Sequence, residues 1–340
     1  ETRRARGEGL AVGMLPANPS SRVFVSWVKH TTRSASLAAG LGAENFFFFD
    51  WPKAGPLKYL ARGARTAAML LRLRPAVVFC MNPPYFLGLL AWLYTLLFRA
   101  RLVLDSHSAA FDQPEWVRLM PLHRFIARRA LCSVVTNAEL ARRLTGWGAA
   151  ACVISDIPYE IPGGSFPVES GRFSVCFSCS FAPDEPVAAF LQAARALPEV
   201  RFYVTGNSRR APGALSGGVP DNVTLTGYVS NEAYFGLLRG VNAVMVLTTR
   251  DFTMQRGGSE AVGAGKPLVI SDWPTLREIF PLGAVHVENT PEGIIAGVRQ
   301  ALRDEARLRG EMAEMSRLRD ERWREAVARL GRALESGSMQ

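Results

Sequence analysis

The feature of this sequence that most constrains its fold is a regular alternation of short apolar runs with longer amphipathic segments. In the first half the apolar runs lie at residues 22–27, 45–49, 76–80, 102–104 and 132–136, and the helical patterns lie at 34–42, 56–74, 85–98 and 115–131. Strands that alternate with helices predict a parallel sheet with helices packed on both of its faces.

The pattern stops at residues 155–171, which are rich in Pro and Gly, and then restarts. The later strands are predicted at 173–179, 200–205, 223–226, 243–247 and 267–271, with helices at 186–197, 231–239, 257–264 and 291–335. The predicted organisation is a loose tail (1–21), an N-terminal domain (22–157), a linker (158–171), a C-terminal domain (172–310) and a C-terminal helical segment (311–340). Two doubly wound domains that face each other across a cleft bind ligands at the carboxyl ends of their strands.

The strongest local signal for chemistry is the segment RGGSEAVGAGKPLVIS at residues 256–271. Gly257 and Gly258 open a helix there, and the backbone N–H groups of such a helix start attract phosphate. Arg256 can bind a phosphate through its guanidinium fork. Glu260, one turn into the helix, can accept hydrogen bonds from the hydroxyls of a sugar or a ribose. An ordinary capped helix with a surface glutamate is the alternative reading.

The longer stretch GGSEAVGAGKPLVISDWPTLREIF resembles the hallmark segment of the retaining GT-B glycosyltransferases of family four. That resemblance matches Glu260 to the second glutamate of a Glu-x7-Glu pair, which holds the donor's ribose. Phe252 stands where the first glutamate is expected, so Asp251, one residue earlier, is the candidate for its role. The resemblance also places six residues along the donor sugar and diphosphate: Thr253, Met254, Gln255, Arg256, Gly257 and Gly258; Ser259 is a further candidate donor contact.

Two further segments of the C-terminal half, RFYVTGN and NVTLTGYVSNEAYFGLL, follow the strand order of the same family. The resemblance implies that Tyr228 and Val229 meet the nucleobase. The arginine and lysine that clamp the diphosphate in relatives are missing from the loop at 178–186, where Ser180 is the candidate donor contact. Arg256, or Arg209 and Arg210, are candidates to supply the missing charge.

In the N-terminal half, Asp105-Ser106-His107-Ser108 follows a predicted buried strand. Relatives carry a histidine at this place, near the reacting face of the donor sugar, so His107 is a catalytic candidate; a structural hydrogen-bonding histidine is the alternative. Residues 29–34 occupy the place of a glycine-rich loop that faces the acceptor in relatives. Arg33 in this segment is a candidate to bind a phosphate of the donor or of the acceptor.

The resemblance implies the transfer of a sugar, with retention, from a UDP- or GDP-linked donor, which is a substrate and not a cofactor. No cofactor is predicted, and no metal-ligating cluster is visible in the sequence. In this class the departing diphosphate is stabilised by dipoles and cations, and its own oxygen takes the acceptor's proton. The alternatives left open are a sugar-nucleotide epimerase of the same fold and a non-catalytic partner subunit. Nucleic acid is not an expected partner, because the sequence shows no pattern typical of a nucleic-acid-binding fold.

The excess of Lys and Arg over Asp and Glu, 40 against 30, points to an anionic partner. The predicted helix at 58–74 is basic and amphipathic, with Lys58, Arg62, Arg65, Arg72 and Arg74. The run at 86–98 is apolar but shorter than the 18 to 20 or so residues that cross a bilayer. These segments predict a cytoplasmic protein held peripherally on the anionic inner face of the cell membrane, with a lipid-linked or membrane-proximal saccharide acceptor. The alternative is that residues 86–98 form a buried core helix.

Overall fold

The computed structural model describes residues 21–29, 31–49, 55–154, 161–210 and 212–337. Most of the predicted tail (1–21), His30 and the start of the predicted linker lie outside the described residues.

The described chain forms two compact units, each built on a six-stranded sheet whose strand pairs are all parallel. The first unit combines the described residues up to 154 with residues 321–337, and the second contains residues 161–320. The prediction of two doubly wound α/β units is therefore confirmed.

The first sheet has the strand order β2-β1-β3-β4-β5-β6. Its strands are β1 (Arg22–Ser26), β2 (Glu44–Phe47), β3 (Val77–Asn82), β4 (Arg101–Ser106), β5 (Cys132–Val135) and β6 (Ala151–Val153). The helices of this part of the chain are α1 (Thr32–Gly40), α2 (Leu57–Leu73), α3 (Tyr85–Phe98), α4 (Ala109–Asp112), α5 (Pro114–Val117), α6 (Met120–Ala127) and α7 (Ala138–Gly146).

The second sheet has the strand order β12-β11-β10-β7-β8-β9. Its strands are β7 (Ser174–Phe177), β8 (Arg201–Thr205), β9 (Val223–Gly227), β10 (Ala243–Val246), β11 (Leu268–Ser271) and β12 (Ala284–Val287). The helices that follow them are α8 (Val187–Arg195), α9 (Asn231–Gly240), α10 (Arg256–Gly263), α11 (Pro274–Ile279), α12 (Pro291–Arg303) and α13 (Glu305–Ser336).

Both sheets are buried on two faces, because successive side chains of a strand point to opposite sides. In β1, Val23 and Val25 pack in one apolar cluster and Phe24 packs in another. In β7, Val175 and Phe177 are separated from Cys176 in the same way. These two strands are therefore apolar on both of their sides, because helices cover both faces of each sheet.

Helix α13 contributes to both units. It runs without a break across residues 310 and 311, where the sequence analysis set a boundary. Its first half is buried in the core of the second unit and its second half in the core of the first, through Leu308, Met312, Met315, Trp323, Val327, Leu330 and Leu334. The predicted linker also packs: Ile161 is buried in the second unit, and Gly164 lies against the backbone of Glu232 in α9.

One predicted element is wrong. The single helix expected at 115–131 is replaced by the short helices α4, α5 and α6. Pro114 and Pro121 stand in the first turns of α5 and α6, and a proline that lacks its N–H starts a helix more readily than it continues one. Four further elements, α7, β6, α11 and β12, were not predicted from the sequence.

A glycine in α1 tests the attachment of α13 to the first unit. A Cβ atom at Gly40 would lie 2.5 Å from the Cζ2 atom of Trp323, whose side chain is buried. We expect Gly40→Ala to lower the free energy of unfolding by about 1–3 kcal/mol, because the indole must shift within a packed core. The measurement is urea denaturation followed by circular dichroism.

Gly63 is the matched control, since it lies inside α2 of the same unit. A Cβ atom there would meet its nearest neighbour, Trp27, at an ordinary contact distance of 3.9 Å. Gly63→Ala should leave stability unchanged or raise it by up to about 1 kcal/mol, as the helix propensity of alanine predicts. Equal effects of the two substitutions would contradict the packing of Trp323 on α1.

Candidate functional site

The second unit has a topological switch point between β7 and β10. These two strands are neighbours, but the chain leaves β7 towards β8 and leaves β10 towards β11. The loops that follow them at the carboxyl edge are residues 178–186 and 247–255. A crevice at such a point is the usual ligand site of an open parallel sheet.

Helix α10 begins at this switch point and carries the glycines that the sequence analysis singled out. A Cβ at Gly257 would lie 2.9 Å from Oγ of Ser178 and from a methyl group of Val246, and one at Gly258 would lie 2.5 Å from the ring of Phe280. Both glycines are therefore required for close packing of α10 on the sheet. Gln255, at the N-cap, makes no side-chain capping bond within the described part of the chain, so the first turn is not capped by its own N-cap residue.

Glu260 is buried at the end of the first turn of α10, with 3% of its side chain exposed. Its Oε1 accepts a hydrogen bond from Nε of Arg256 at 2.7 Å, and its Oε2 accepts one from the hydroxyl of Tyr234 at 2.5 Å. Arg256 is 64% exposed. A buried carboxylate needs such partners to offset its lost hydration, and here one partner lies on the solvent side.

Tyr234 and Ser178 were missed by the sequence analysis. Tyr234 lies in α9 and packs against the core, and its hydroxyl also bonds to Oγ of Ser178 at 2.8 Å. Burial and the adjacent Glu260 raise the pKa of Tyr234, so the phenol stays protonated and donates to the carboxylate. The sequence carries no signal for this pair, since a tyrosine in an amphipathic helix is typical of a core position.

The loop after β7 is closed on itself by Glu185. The Glu185 carboxylate accepts the backbone N–H of Ser180 at 3.0 Å and that of Ala182 at 2.7 Å. The amide of Ser180, a predicted donor contact, is thus already engaged. Both arginines in the loop after β8, Arg209 and Arg210, are exposed, and Arg210 donates to the carbonyl oxygen of Ser180 at 3.4 Å.

The loop before α10 contains the other predicted donor contacts. Asp251, the candidate for the first glutamate, accepts the N–H of Phe252 at 2.7 Å through its own carboxylate. Phe252 has a φ of 58°, in the left-handed region, and the residue is 36% exposed. The Thr253 hydroxyl donates to the carbonyl oxygen of Asp251, and Met254 packs partly against the core. Gln255 and Ser259 are half-buried at the start of α10.

The predicted nucleobase contacts follow β9 at the same edge of the sheet. Gly227 ends this strand with a φ of 70°, which a residue without a Cβ adopts readily. Tyr228, the next residue, is 94% exposed, and Val229 is half-buried. An exposed aromatic ring here is available to stack on a base.

The first unit has its own charged cluster, centred on Asp105 at the carboxyl end of β4. Asp105 is 2% exposed and accepts Nε of Arg33 at 3.0 Å and Nε2 of His107 at 2.9 Å. Burial alone would raise the pKa of Asp105, but Arg33 and His107 outweigh it and hold that pKa at about 2. Because the carboxylate is ionised, Nε2 of His107 carries the hydrogen, and a neutral ring presents Nδ1 as an acceptor.

The side chain of Arg33 is held in place by contacts within the first unit. Besides Asp105 it donates through Nη1 to the carbonyl oxygen of Ile154 at 3.0 Å, and only 15% of its side chain is exposed. Among the described residues its Nη2 is buried without a hydrogen-bond partner. A phosphate-binding role for Arg33 stays a prediction.

The contacts of the other described histidines, His123 and His286, indicate structural roles. His123 is fully buried, its Nε2 lies 2.9 Å from Nδ2 of Asn82, and burial lowers its pKa to about 4. Nε2 of His286 lies 3.4 Å from the carbonyl oxygen of Leu276. In the described ranges no group of three His, Cys, Asp or Glu side chains is arranged to hold a metal ion.

Comparisons with known proteins agree with this architecture. A glycosyl transferase 4-like domain model matches residues 5–159, and a glycosyl transferase-like model matches residues 185–331. No curated protein matches the chain significantly.

Many solved structures share the fold. Sucrose-phosphate synthase from Thermosynechococcus elongatus has a TM-score of 0.69 at 13% identity, over 93% of this chain and 99% of that one. Anabaena HepE in complex with UDP and glucose has a TM-score of 0.66 at 13% identity, over 92% and 91%. A putative UDP-N-acetylglucosamine 2-epimerase from Listeria monocytogenes has a TM-score of 0.62 at 14% identity, over 93% and 96%.

At these identities the solved structures establish the fold alone. The assignment to a class of enzyme comes from the two sequence models, which between them match both halves of the chain. Since both describe glycosyltransferase domains and the fold is that of GT-B enzymes, this chain is a GT-B glycosyltransferase.

Proposed function

We propose that this enzyme transfers a sugar, with retention, from a nucleoside diphosphate sugar to a lipid-linked or membrane-proximal saccharide. The observation that carries the donor assignment is the Glu260–Arg256 pair in the first turn of α10, at the switch point of the second sheet. A buried carboxylate that is covered by an exposed guanidinium offers an acceptor for hydroxyls and a cation for phosphates within one helical turn.

In this proposal the contact between Glu260 and Arg256 breaks when the donor binds, and each side chain then contacts the donor instead. The ribose hydroxyls donate to Oε1 of Glu260, and Arg256 turns from that oxygen to the diphosphate, where the amides of the first turn of α10 add to the attraction. The exposure of the two side chains fits this exchange, because Arg256 is 64% exposed whereas Glu260 is 3% exposed. UDP bound to the structurally similar HepE supports a nucleotide at this fold.

The proposed chemistry needs no protein nucleophile. The bond from the anomeric carbon to the diphosphate oxygen breaks with both electrons going to that oxygen, and the acceptor hydroxyl forms the new bond on the same face. The acceptor's proton passes to the departing phosphate. Cations and dipoles that stabilise the developing charge provide the catalysis. His107, whose Nδ1 accepts a hydrogen bond when the ring is neutral, is proposed to contact the donor sugar.

The acceptor assignment rests on an apolar surface of the first unit that we call the α2–α3 face. On α2 its exposed residues are Leu57, Leu60, Ala64, Ala68 and Leu71, at helical spacing. On α3 they are Phe86, Leu93, Leu96, Leu97 and Phe98. The two helices touch through the rings of Tyr59 and Phe86, whose centroids are 5.1 Å apart.

The charges of this face differ from the sequence-based expectation. Arg62 was expected on a basic surface, but it is buried and donates to the carbonyl oxygens of Trp27 and Phe49. Arg72 and Arg74 are exposed at the end of α2, and Arg99 is exposed at the end of α3. Exposed leucines bordered by arginines fit the interface of an anionic membrane. No helix in the described ranges is long and apolar enough to cross a bilayer.

The first test of this function asks whether Arg256 binds the diphosphate. A thermal-shift screen with UDP, GDP and their sugars identifies the nucleotide, since a ligand at 100 times its Kd adds about 2.7 kcal/mol of stability. We expect Arg256→Ala to weaken binding of that nucleoside diphosphate by about 10- to 100-fold, the worth of one charged hydrogen bond. Binding of the free nucleoside should be unchanged or tighter, because the substitution uncovers Glu260. Calorimetry measures both.

Arg303→Ala is the matched control, because it removes the same charge from the exposed end of α12, at the opposite edge of the sheet. Equal losses for nucleoside and nucleoside diphosphate in Arg256→Ala would remove Arg256 from the phosphate site. Conversion of a donor sugar into its epimer, without transfer, would favour the epimerase alternative.

A second test concerns His107. We expect His107→Ala to lower turnover by about 100-fold with little change in donor affinity, since a contact made mainly in the transition state affects kcat alone. The assay is release of the nucleoside diphosphate from the nucleotide sugar, with donor affinity measured separately. His286→Ala is the control and should retain full turnover. If His107→Ala keeps activity to within about twofold, the histidine is structural.

The membrane assignment is tested by co-sedimentation with vesicles. We expect the protein to sediment with vesicles that contain phosphatidylglycerol at low salt, less at high salt, and little with neutral vesicles. Leu97 is 77% exposed on α3, and Leu97→Glu should leave the protein in the supernatant, because it places a negative charge in the contact surface. Leu302→Glu, at a 39% exposed position on α12, should sediment like the wild type. A wild type that stays in the supernatant with anionic vesicles would contradict the assignment.

A further inference from the structure

We infer that Tyr234 and Ser178 are positioning residues that fix the orientation of the Glu260 carboxylate for the ribose of the donor. This inference rests on the proposed function, because it assumes that Glu260 binds a ribonucleotide. The geometry that points to it is a continuous chain of hydrogen bonds. Ser178 Oγ lies 2.8 Å from the Tyr234 hydroxyl, and that hydroxyl lies 2.5 Å from Oε2 of Glu260.

This series of hydrogen bonds is fixed at the end formed by Ser178 and Tyr234, and a ligand can replace the partner at the other end, Arg256. Ser178 is held by the sheet, since it directly follows β7 and its backbone N–H donates to the carbonyl oxygen of Met245 at 3.0 Å. Tyr234 is held by packing in α9. The opposite side of the carboxylate is met by Arg256, which is 64% exposed. A ligand that takes the place of Arg256 at Oε1 therefore meets a carboxylate whose other oxygen is already anchored.

The anchor depends on the absence of a side chain at Gly257. A Cβ there would lie 2.9 Å from Oγ of Ser178, so any larger residue would displace the hydroxyl from Tyr234. Three segments that are distant in sequence thus converge on one carboxylate: the end of β7, helix α9 and the first turn of α10. The direction of each donation follows from chemistry, since the ionised carboxylate only accepts and Tyr234 must donate to it, which leaves Ser178 to donate to Tyr234.

The consequence is selectivity for a ribose diol. A carboxylate that is free to rotate can bind many donors, whereas one with a fixed plane favours two hydroxyls at a set spacing. Losing the anchor should therefore weaken ligands that carry the diol and spare ligands that lack it. A residue that acts only on the stability of the fold would weaken both kinds of ligand equally.

The experiment compares UDP with 2′,3′-dideoxy-UDP by calorimetry, or GDP with its dideoxy form if the wild type binds GDP. Tyr234→Phe removes one oxygen and keeps the ring. We expect it to raise the Kd for the ribonucleotide about tenfold or more, the worth of a hydrogen bond to a charged group, and to change the Kd for the dideoxynucleotide by less than about twofold. Ser178→Ala should act in the same direction with a smaller effect.

Tyr203→Phe is the matched control. Tyr203 lies in β8 of the same unit, and its hydroxyl accepts the backbone N–H of Glu169 at 2.8 Å, away from Glu260. It should not alter the ratio of the two dissociation constants. In a Glu260→Ala background, Tyr234→Phe should have no further effect on that ratio.

The outcomes separate the two claims. Equal losses for ribonucleotide and dideoxynucleotide in Tyr234→Phe, or no loss for either, would overturn the positioning role while the proposed function stands. A wild type that binds neither UDP nor GDP would overturn the proposed function and this inference with it.

Discussion

Each unit of this protein buries a carboxylate at the carboxyl edge of its sheet, and the need to compensate that charge organises the residues around it. Asp105 in the first unit and Glu260 in the second are 2% and 3% exposed. Each takes an arginine from the first turn of a helix, Arg33 from α1 and Arg256 from α10. Removal of a charge from water costs several kcal/mol, so neither carboxylate would be stable there without its partners.

The two pairs differ in how firmly the arginine is held. Arg33 is 15% exposed and is also bonded to a backbone carbonyl, whereas Arg256 is 64% exposed. The first pair is therefore a fixed contact that also holds His107 through Asp105, and the exposure of the second fits the exchange with a ligand that we propose.

The sequence was sufficient for the architecture and for the glycine-rich start of α10, because alternating strands and helices and such a helix start are local patterns. It failed where the outcome depends on contacts across the fold. Tyr234 contacts Glu260 and Ser178 contacts Tyr234 from segments tens of residues away, and no local pattern reports these contacts. Phosphate binding at the glycines of α10 stays a prediction, and the structure adds close packing on Ser178 and Phe280 as a reason for them. Glu185 closes the loop after β7 through backbone amides, which a search for arginine or lysine does not find.

Helix α13 has a consequence for the order in which the protein completes its fold. Residues that begin the first unit, such as Phe24 in β1, share one apolar cluster with Trp323 and Leu334, about three hundred positions later in the chain. During synthesis, domains generally fold from the N-terminal side as they emerge. Here the first unit emerges early with one face of its sheet covered only in part, by Leu37 and Ala38 of α1, and the cover is completed after the second unit has been made. The unit that is synthesised first is therefore the last to be finished, and the apolar part of the sheet that α13 covers stays exposed to solvent or to a chaperone in the interval.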